Sequence, residues 1–124
     1  MWAFRLGMRV ASPFISHDPR YPRMMDDDLT KTTLESFLLS IASLRRTDLR
    51  PMLEDLHIPT MGMYGDLDII VNPNQWEPMI EGIKDIRIER FDSAGHFIML
   101  DDPENFMARL KEFLDTEPKT EEKA

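Results

Sequence analysis

The hydrophobic pattern changes period twice in the second half of the chain, and these changes predict two strands joined by a helix. Residues 58–65, an apolar run opened by a proline and closed by a glycine, predict a buried strand. Residues 86–92 alternate apolar and polar positions, which predicts a second strand. Between them, apolar side chains at helical spacing predict a helix that is capped by Asn72 or Asn74 and ends near Gly82.

A last amphipathic helix follows and completes a β-α-β-α unit. Asp102 and Pro103 stand in N-cap and first-turn positions before apolar residues that recur at helical intervals up to Leu114. A strand–helix–strand crossover is almost always right-handed and joins parallel strands, so we expect an α/β fold with two parallel strands. Parallel sheets are covered on both faces and usually have several strands. The sheet of this chain is therefore expected to be incomplete.

The first half of the chain is predicted to be helical after an irregular start. Residues 1–30 carry three prolines and an acidic triplet and show little periodicity, which predicts a loop. Thr32 and Glu35 have the spacing of a capping box, and the apolar positions after them predict an amphipathic helix over 32–46. A shorter helix is predicted over 48–55, with its first aspartate as the N-cap. The polar, charged end of the chain, 116–124, is expected to be a disordered tail.

Composition narrows the classes of partner. The 23 acidic and 15 basic residues give a net charge of −8, which disfavours binding to nucleic acid and to anionic membranes. The chain has no cysteine, and His17 and His57 lack acidic partners at metal-ligand spacing, so neither a metal nor a cofactor is predicted. Arg5 and Arg9 interrupt the apolar start, unlike a signal peptide, and no apolar run is long enough for a membrane span. The expected location is the cytoplasm.

Polar side chains follow each of the two predicted strands. Asp66 and Asp68 come after the first strand, and His96 comes after the second, in the sequence SAGH. Ligands and catalytic groups of doubly wound sheets gather just beyond the carboxyl ends of the strands. An acid and a histidine on neighbouring loops of that edge can meet, and the carboxylate then fixes the tautomer of the imidazole. This placement leaves both Asp66 and Asp68 open as the acid.

From about Asp48 to Leu114 the chain resembles the carboxy-terminal part of α/β-hydrolase-fold enzymes. Five features carry the resemblance through their order: a Pro-Thr strand, Gly-x-x-Asp, VNP, Ala-Gly-His and DPENF followed by FL. The resemblance implies that Asp68, the last residue of the Gly-x-x-Asp motif, takes the place of the acid of a catalytic triad. It implies that His96 takes the place of the triad histidine.

The resemblance also implies a division of the chain. Residues 1–47 would be the remnant of a cap, or lid, and residues 48–115 the carboxy-terminal part of the hydrolase core. The expected fold is an incomplete α/β-hydrolase fold, in which cap-type helices precede a β-α-β-α unit with two parallel strands.

The chain departs from the family at the nucleophile. The family orders its triad as Ser, acid and His, with the serine in Gly-x-Ser-x-Gly and oxyanion donors on an earlier loop. The 124 residues contain neither Gly-x-Ser-x-Gly nor a His-Gly-Gly stretch. Ser93 precedes His96 on the same loop, where no strained turn would present it, so it is not expected to be the nucleophile.

Two functions of different classes follow. The resemblance implies the carboxy-terminal part of a serine hydrolase that cleaves an ester, amide, lactone or related bond of a small-molecule substrate. His96 would be general base and then general acid, with Asp68 orienting it. Alone, the chain is expected to be inactive, and an amino-terminal complementing fragment is its expected partner. The alternative is a non-catalytic interaction module that forms a homo-oligomer, or binds another protein, through the exposed edge of the strand over 58–64.

Overall fold

A computed structural model of the chain describes residues 2–116. Two strands within this range are β1 (Thr60–Gly65) and β2 (Ile86–Phe91). The α-helices are α1 (Trp2–Ile15), α2 (Tyr21–Thr30), α3 (Leu34–Arg46), α4 (Trp76–Gly82), α5 (Ile98–Asp101) and α6 (Pro103–Asp115). Two short 3₁₀ helices span Arg50–Asp55 and Pro73–Gln75. Within residues 2–116 no helix combines the length and the hydropathy of a membrane span.

The two strands pair in parallel, as the sequence pattern predicted. Thr60 lies opposite Ile86, Gly65 lies opposite Phe91, and α4 makes the crossover between the strands. The α/β class and the β-α-β-α unit are therefore confirmed. β1 is not the fully buried strand that was predicted, because only Gly65 at its end is buried. The side chains of a strand point to the two faces of the sheet, so the half-buried residues of β1 show that the helices within residues 2–116 cover those faces only in part.

The prediction that residues 1–30 form a loop was wrong, since α1 and α2 occupy residues 2–15 and 21–30. Ile15, at the end of α1, packs in one buried cluster with Tyr21, Met25 and Leu29 of α2. The three α2 residues are spaced by four, the interval that places side chains on one face of a helix. The periodicity was thus present, but the prolines in the same stretch were interpreted as helix breakers.

Pro13 lies inside α1 and does not end it. Proline has no backbone N–H, so the carbonyl of Arg9 loses its normal helical donor. The hydroxyl of Ser12 donates to that carbonyl at 2.8 Å instead. Ser12 is fully buried, and its hydrogen bond lets the helix continue to Ile15.

The helix predicted over 32–46 is α3, but its cap differs from the predicted one. The N-cap is Thr33 and not Thr32, and the hydroxyl of Thr33 accepts the N–H of Ser36 at 3.1 Å. The shorter helix predicted over 48–55 is present as the 3₁₀ helix Arg50–Asp55. Asp48 accepts the first N–H of this helix at 3.1 Å from one residue outside the N-cap position.

The cap predicted for α6 is confirmed, whereas the cap predicted for α4 was wrong. Asp102 caps α6 by accepting the N–H of Asn105. The N-cap of α4 is Gln75, which makes no side-chain cap hydrogen bond, and Asn72 accepts the N–H of Asn74 at 2.9 Å in the 3₁₀ helix that precedes α4. The single turn of α5 was not predicted, because four residues are too few to show a period. The residues 117–124 of the predicted disordered tail lie outside the described part of the chain.

Candidate active site

The loops that follow β1 and β2 lie directly against each other. The N–H of Leu67 donates to the carbonyl of Ala94 at 3.1 Å and ties one loop to the other. The closest approach is at Gly65, where an added Cβ would lie 2.2 Å from the Ala94 oxygen and 2.3 Å from the Gly95 oxygen. Backbone atoms cannot yield to such an overlap, so this packing of the two loops requires glycine.

The two loops bring Asp68 and His96 together. Nδ1 of His96 lies 2.9 Å from Oδ2 of Asp68. The carboxylate side chain is only 9% exposed, whereas the imidazole is 32% exposed. The other oxygen of Asp68 accepts the N–H groups of Ile70 at 2.7 Å and Val71 at 3.0 Å. The carboxylate is thereby held by the backbone of its own loop while Oδ2 is directed at the histidine.

Electrostatics determines which form of this pair exists at neutral pH. Burial raises the pKa of Asp68, but the His96 ring and the N–H groups of Val71 and Ile70 lower it by more, so the net pKa lies below 3.8. An ionised carboxylate only accepts hydrogen bonds, so Nδ1 of the imidazole carries the proton between them. Nε2 of the neutral ring then keeps its lone pair. His96 can take up a proton there while Asp68 stabilises the resulting imidazolium.

Asp66, the other acid left open by its placement, has a different partner. Its carboxylate lies 2.8 Å and 3.2 Å from two nitrogens of the Arg90 guanidinium. In the structure, therefore, Asp68 contacts the imidazole and Asp66 forms an ion pair along the sheet edge.

Ser93 and the two remaining histidines lie outside this pair. Ser93 is exposed in the loop after β2, and its carbonyl oxygen lies 3.2 Å from Nδ1 of His17. His17 and His57 are both exposed. Within residues 2–116, no group of three or more His, Cys, Asp or Glu side chains is arranged to hold a metal ion.

Sequence reasoning missed two residues that support the histidine loop. The carbonyl of Ile15, in α1, accepts the N–H of His96 at 2.8 Å. The carboxylate of Asp101, in α5, accepts the N–H of Gly95 at 2.7 Å. Asp101 gave no separate signal because it stands beside Asp102, which the pattern explained as a helix cap. The contact of Ile15 arises only from the packing of α1 on this loop.

Comparisons with known proteins agree with this architecture. No family model matches the chain. Over 76 residues the chain is 37% identical to a pimeloyl-[acyl-carrier protein] methyl ester esterase of Edwardsiella ictaluri, covering 60% of this chain and 29% of the esterase. An esterase structure from Exiguobacterium antarcticum matches 93% of this chain and 44% of its own, at 22% identity and a TM-score of 0.80.

A second solved structure matches the chain with a lower TM-score. MGS-M2, an α/β-hydrolase enzyme from a deep-sea metagenome library of the Medee basin, matches 91% of this chain and 46% of its own, at 17% identity and a TM-score of 0.64. The chain thus has an incomplete form of the α/β-hydrolase fold, and over 76 residues its sequence is similar to that of an esterase. It spans less than half the length of each of these relatives.

Proposed function

We propose that this chain supplies the acid and the general base of a serine hydrolase active site. The observation that carries the proposal is the 2.9 Å contact between Nδ1 of His96 and the buried carboxylate of Asp68. This contact lies at the carboxyl ends of parallel strands, where α/β proteins gather catalytic groups. We also propose that residues 1–47 belong to the cap of that hydrolase.

The bond we propose for cleavage is a carboxylic ester. The 37% identical relative is named a methyl ester esterase, and this favours an ester over an amide or a lactone. The nucleophile would be a serine outside the 124 residues, since these contain no Gly-x-Ser-x-Gly. A segment or chain that carries this serine is the proposed partner, and a small-molecule ester is the proposed substrate.

The geometry supports a two-step reaction. Nε2 of His96 takes the proton of the serine hydroxyl as its oxygen attacks the ester carbonyl, and then gives that proton to the departing alcohol oxygen. Water next attacks the acyl-enzyme, with its proton passing through the same nitrogen, and releases the acid and the free serine. Asp68 stays ionised throughout, because its role is to hold Nδ1–H and stabilise the imidazolium.

The purified chain gives the first test. Without a nucleophile and oxyanion donors, it should not hydrolyse a nitrophenyl ester faster than its own His96→Gln variant. Turnover by the parent chain that is lost in the variant would show that the nucleophile lies within the 124 residues, and would contradict this part of the proposal.

A chimera tests the role of His96 itself. Residues 2–116 replace the structurally equivalent part of the Exiguobacterium antarcticum esterase, with which 93% of the chain superposes. We expect ester hydrolysis by the chimera and a loss on the order of 10⁶-fold in kcat with His96→Gln, the size found when the histidine of a catalytic triad is removed. His57→Gln, at an exposed histidine that precedes β1 and therefore lies at the end of the strand opposite the two loops, is the matched control and should keep the parental kcat. Equal kcat values for the two variants, or a folded but inactive chimera, would refute the proposal.

A second candidate function is an interaction module that pairs through β1. Within the described residues β1 pairs only with β2, and the adjacent Ile58 is 65% exposed. An unpaired strand edge beside exposed apolar side chains favours pairing with a second copy. Sedimentation of the purified chain separates the candidates: a dimer that dissociates when Met63→Pro blocks the edge supports the module, and a monomer at micromolar concentration excludes it.

A further inference from the structure

The carboxylate of Asp101 joins two distant parts of the chain. Its Oδ1 accepts the hydroxyl of Ser16 at 2.5 Å and the N–H groups of His17 at 2.7 Å and Asp18 at 3.3 Å. Its Oδ2 accepts the N–H of Gly95 at 2.7 Å. One side chain thus links the segment after α1 to the residue immediately before the proposed catalytic histidine.

This carboxylate is charged at neutral pH. Burial raises the pKa of Asp101, but the hydroxyl of Ser16 and the N–H groups of Gly95, His17 and Asp18 lower it by more, so the net pKa lies below 3.8. Hydrogen bonds to an ionised acceptor are shorter and roughly twice as strong as neutral ones. The hydrogen bonds through which Asp101 links the two segments are therefore stronger than bonds to a neutral acceptor would be.

The same segment also contacts His96 directly. The buried Ile15 accepts the N–H of His96 through its carbonyl at 2.8 Å. A Cβ added to Gly95 would lie 2.5 Å from that carbonyl, so the two backbones touch. The backbone around His96 is thus fixed by Ile15 at the histidine itself and by Asp101 one residue earlier.

We propose that Asp101 is a positioning residue for His96. By fixing the N–H of Gly95, it sets the backbone from which the imidazole reaches Asp68. The catalytic consequence rests on the proposed function, whereas the placement of the ring does not. Asp101 itself acts through the backbone and touches no reacting atom.

Asp101→Asn breaks this link selectively. The amide oxygen of asparagine can still accept from Ser16 and the two N–H groups beside it, but its NH₂ then faces the N–H of Gly95, so two donors oppose each other. The matched control is Asp102→Asn, which removes the same charge from the next residue and keeps a good N-cap for α6.

The direct readout is the low-field proton resonance of Nδ1–H in His96, observed by NMR in the purified chain. It reports the hydrogen bond to Asp68 and needs no activity. We expect the resonance to shift, or to be lost through exchange, in Asp101→Asn and to stay unchanged in Asp102→Asn. An unchanged resonance in folded Asp101→Asn would overturn the proposal.

Ser16→Ala keeps the test decisive if Asp101→Asn does not fold. Of the four bonds to Asp101 this variant removes only the shortest, together with the 3.2 Å bond from the N–H of Asp18 to the Ser16 hydroxyl, and it should shift the resonance to a smaller extent. Ser40→Ala, in the exposed part of α3, is its control. A resonance that is the same in Ser16→Ala as in Ser40→Ala would overturn the proposal in that case.

The chimera described above supplies the catalytic readout. There we expect Asp101→Asn to lower kcat on the order of 10²-fold, the cost of a misplacement of about 1 Å, and Asp102→Asn to leave it unchanged. If the chimera is inactive with its parental residues, the proposed function fails while the NMR result still decides the positioning role. If the chimera is active and Asp101→Asn matches Asp102→Asn, the positioning role fails alone.

Discussion

Asp68 uses its two carboxylate oxygens for different purposes. Oδ1 accepts two N–H groups of its own loop, and Oδ2 faces the imidazole of His96. Replacement of Asp68 by asparagine separates these purposes, because an amide keeps one oxygen for the loop and presents NH₂ to the ring. The loop can then keep its conformation, but the NH₂ group favours the imidazole tautomer that has its proton on Nε2. In that tautomer Nε2 has no lone pair to accept a proton.

The lowered pKa of Asp68 makes stability depend on pH in the acid range. The ionised form is favoured in the folded chain, so its contribution is complete above the ordinary value of 3.8 and is lost as the pH falls through the lower folded-state pKa. Urea unfolding from about pH 7 to pH 2 measures this dependence. The parent should lose more unfolding free energy below about pH 4 than Asp68→Asn does, whereas identical pH profiles would contradict the shift.

Glycine is required at Gly65 and dispensable at Gly7. Gly65→Ala places a methyl group against two carbonyl oxygens and should lower the unfolding free energy by about 1–3 kcal/mol or more. Gly7→Ala lies in exposed α1 with nothing within 4 Å of the new atom, and should raise it by about 0.5–1 kcal/mol. Denaturant unfolding of both variants tests this; effects of the same sign would contradict the loop contact.

The helices and strands that could be predicted are those whose own residues show a periodicity and a stop signal. β2, α4 and α6 each have their own periodicity and stop signals, and the polar loops after the strands follow from the parallel order. α1 and α2 were missed because proline was given more weight than the spacing of the apolar residues. Ser12 offsets the effect of Pro13 by donating to the carbonyl of Arg9, and the pattern of residue types does not predict this hydrogen bond.

Contacts between distant segments could not be predicted from the sequence for a different reason. Ser16 and Asp101 are 85 residues apart, and their hydrogen bond depends on how α1 packs against the loop after β2. Local periodicity contains no information about that docking. The resemblance to hydrolases supplied the identities of Asp68 and His96, but not the residues that hold them.

The α1 and α2 helices pack together through a buried cluster, against which Phe97 and Leu100 also pack, and paired leucine variants test this packing. Leu29 of α2 is 6% exposed in this cluster, whereas Leu44 of α3 is 70% exposed. Leu29→Ala should therefore cost about 2–5 kcal/mol of unfolding free energy and Leu44→Ala about 0.5 kcal/mol or less. Equal costs, measured by denaturant unfolding, would show that α2 is not docked as described.

In the molecule as a whole, the two-stranded sheet is incomplete, but it brings both members of the Asp68–His96 pair into contact. β1 and β2 form the only sheet within residues 2–116, and their carboxyl ends place Asp68 beside His96. The chain spans less than half of the relatives that it matches. The proposed serine hydrolase reaction also needs a nucleophile, and the 124 residues contain no Gly-x-Ser-x-Gly, so we propose that another segment supplies the serine.

We propose that Asp68, and not its neighbour Asp66, orients His96 for catalysis. The most direct measurement is kcat for ester hydrolysis by the chimera carrying Asp68→Asn, compared with the same chimera carrying Asp66→Asn. We predict a loss on the order of 10⁴-fold for Asp68→Asn, as expected for an imidazole held in the wrong tautomer, and parental kcat for Asp66→Asn, which breaks only an ion pair with Arg90. Equal kcat values in the two variants would show that the contact of Asp68 with His96 has no role in catalysis.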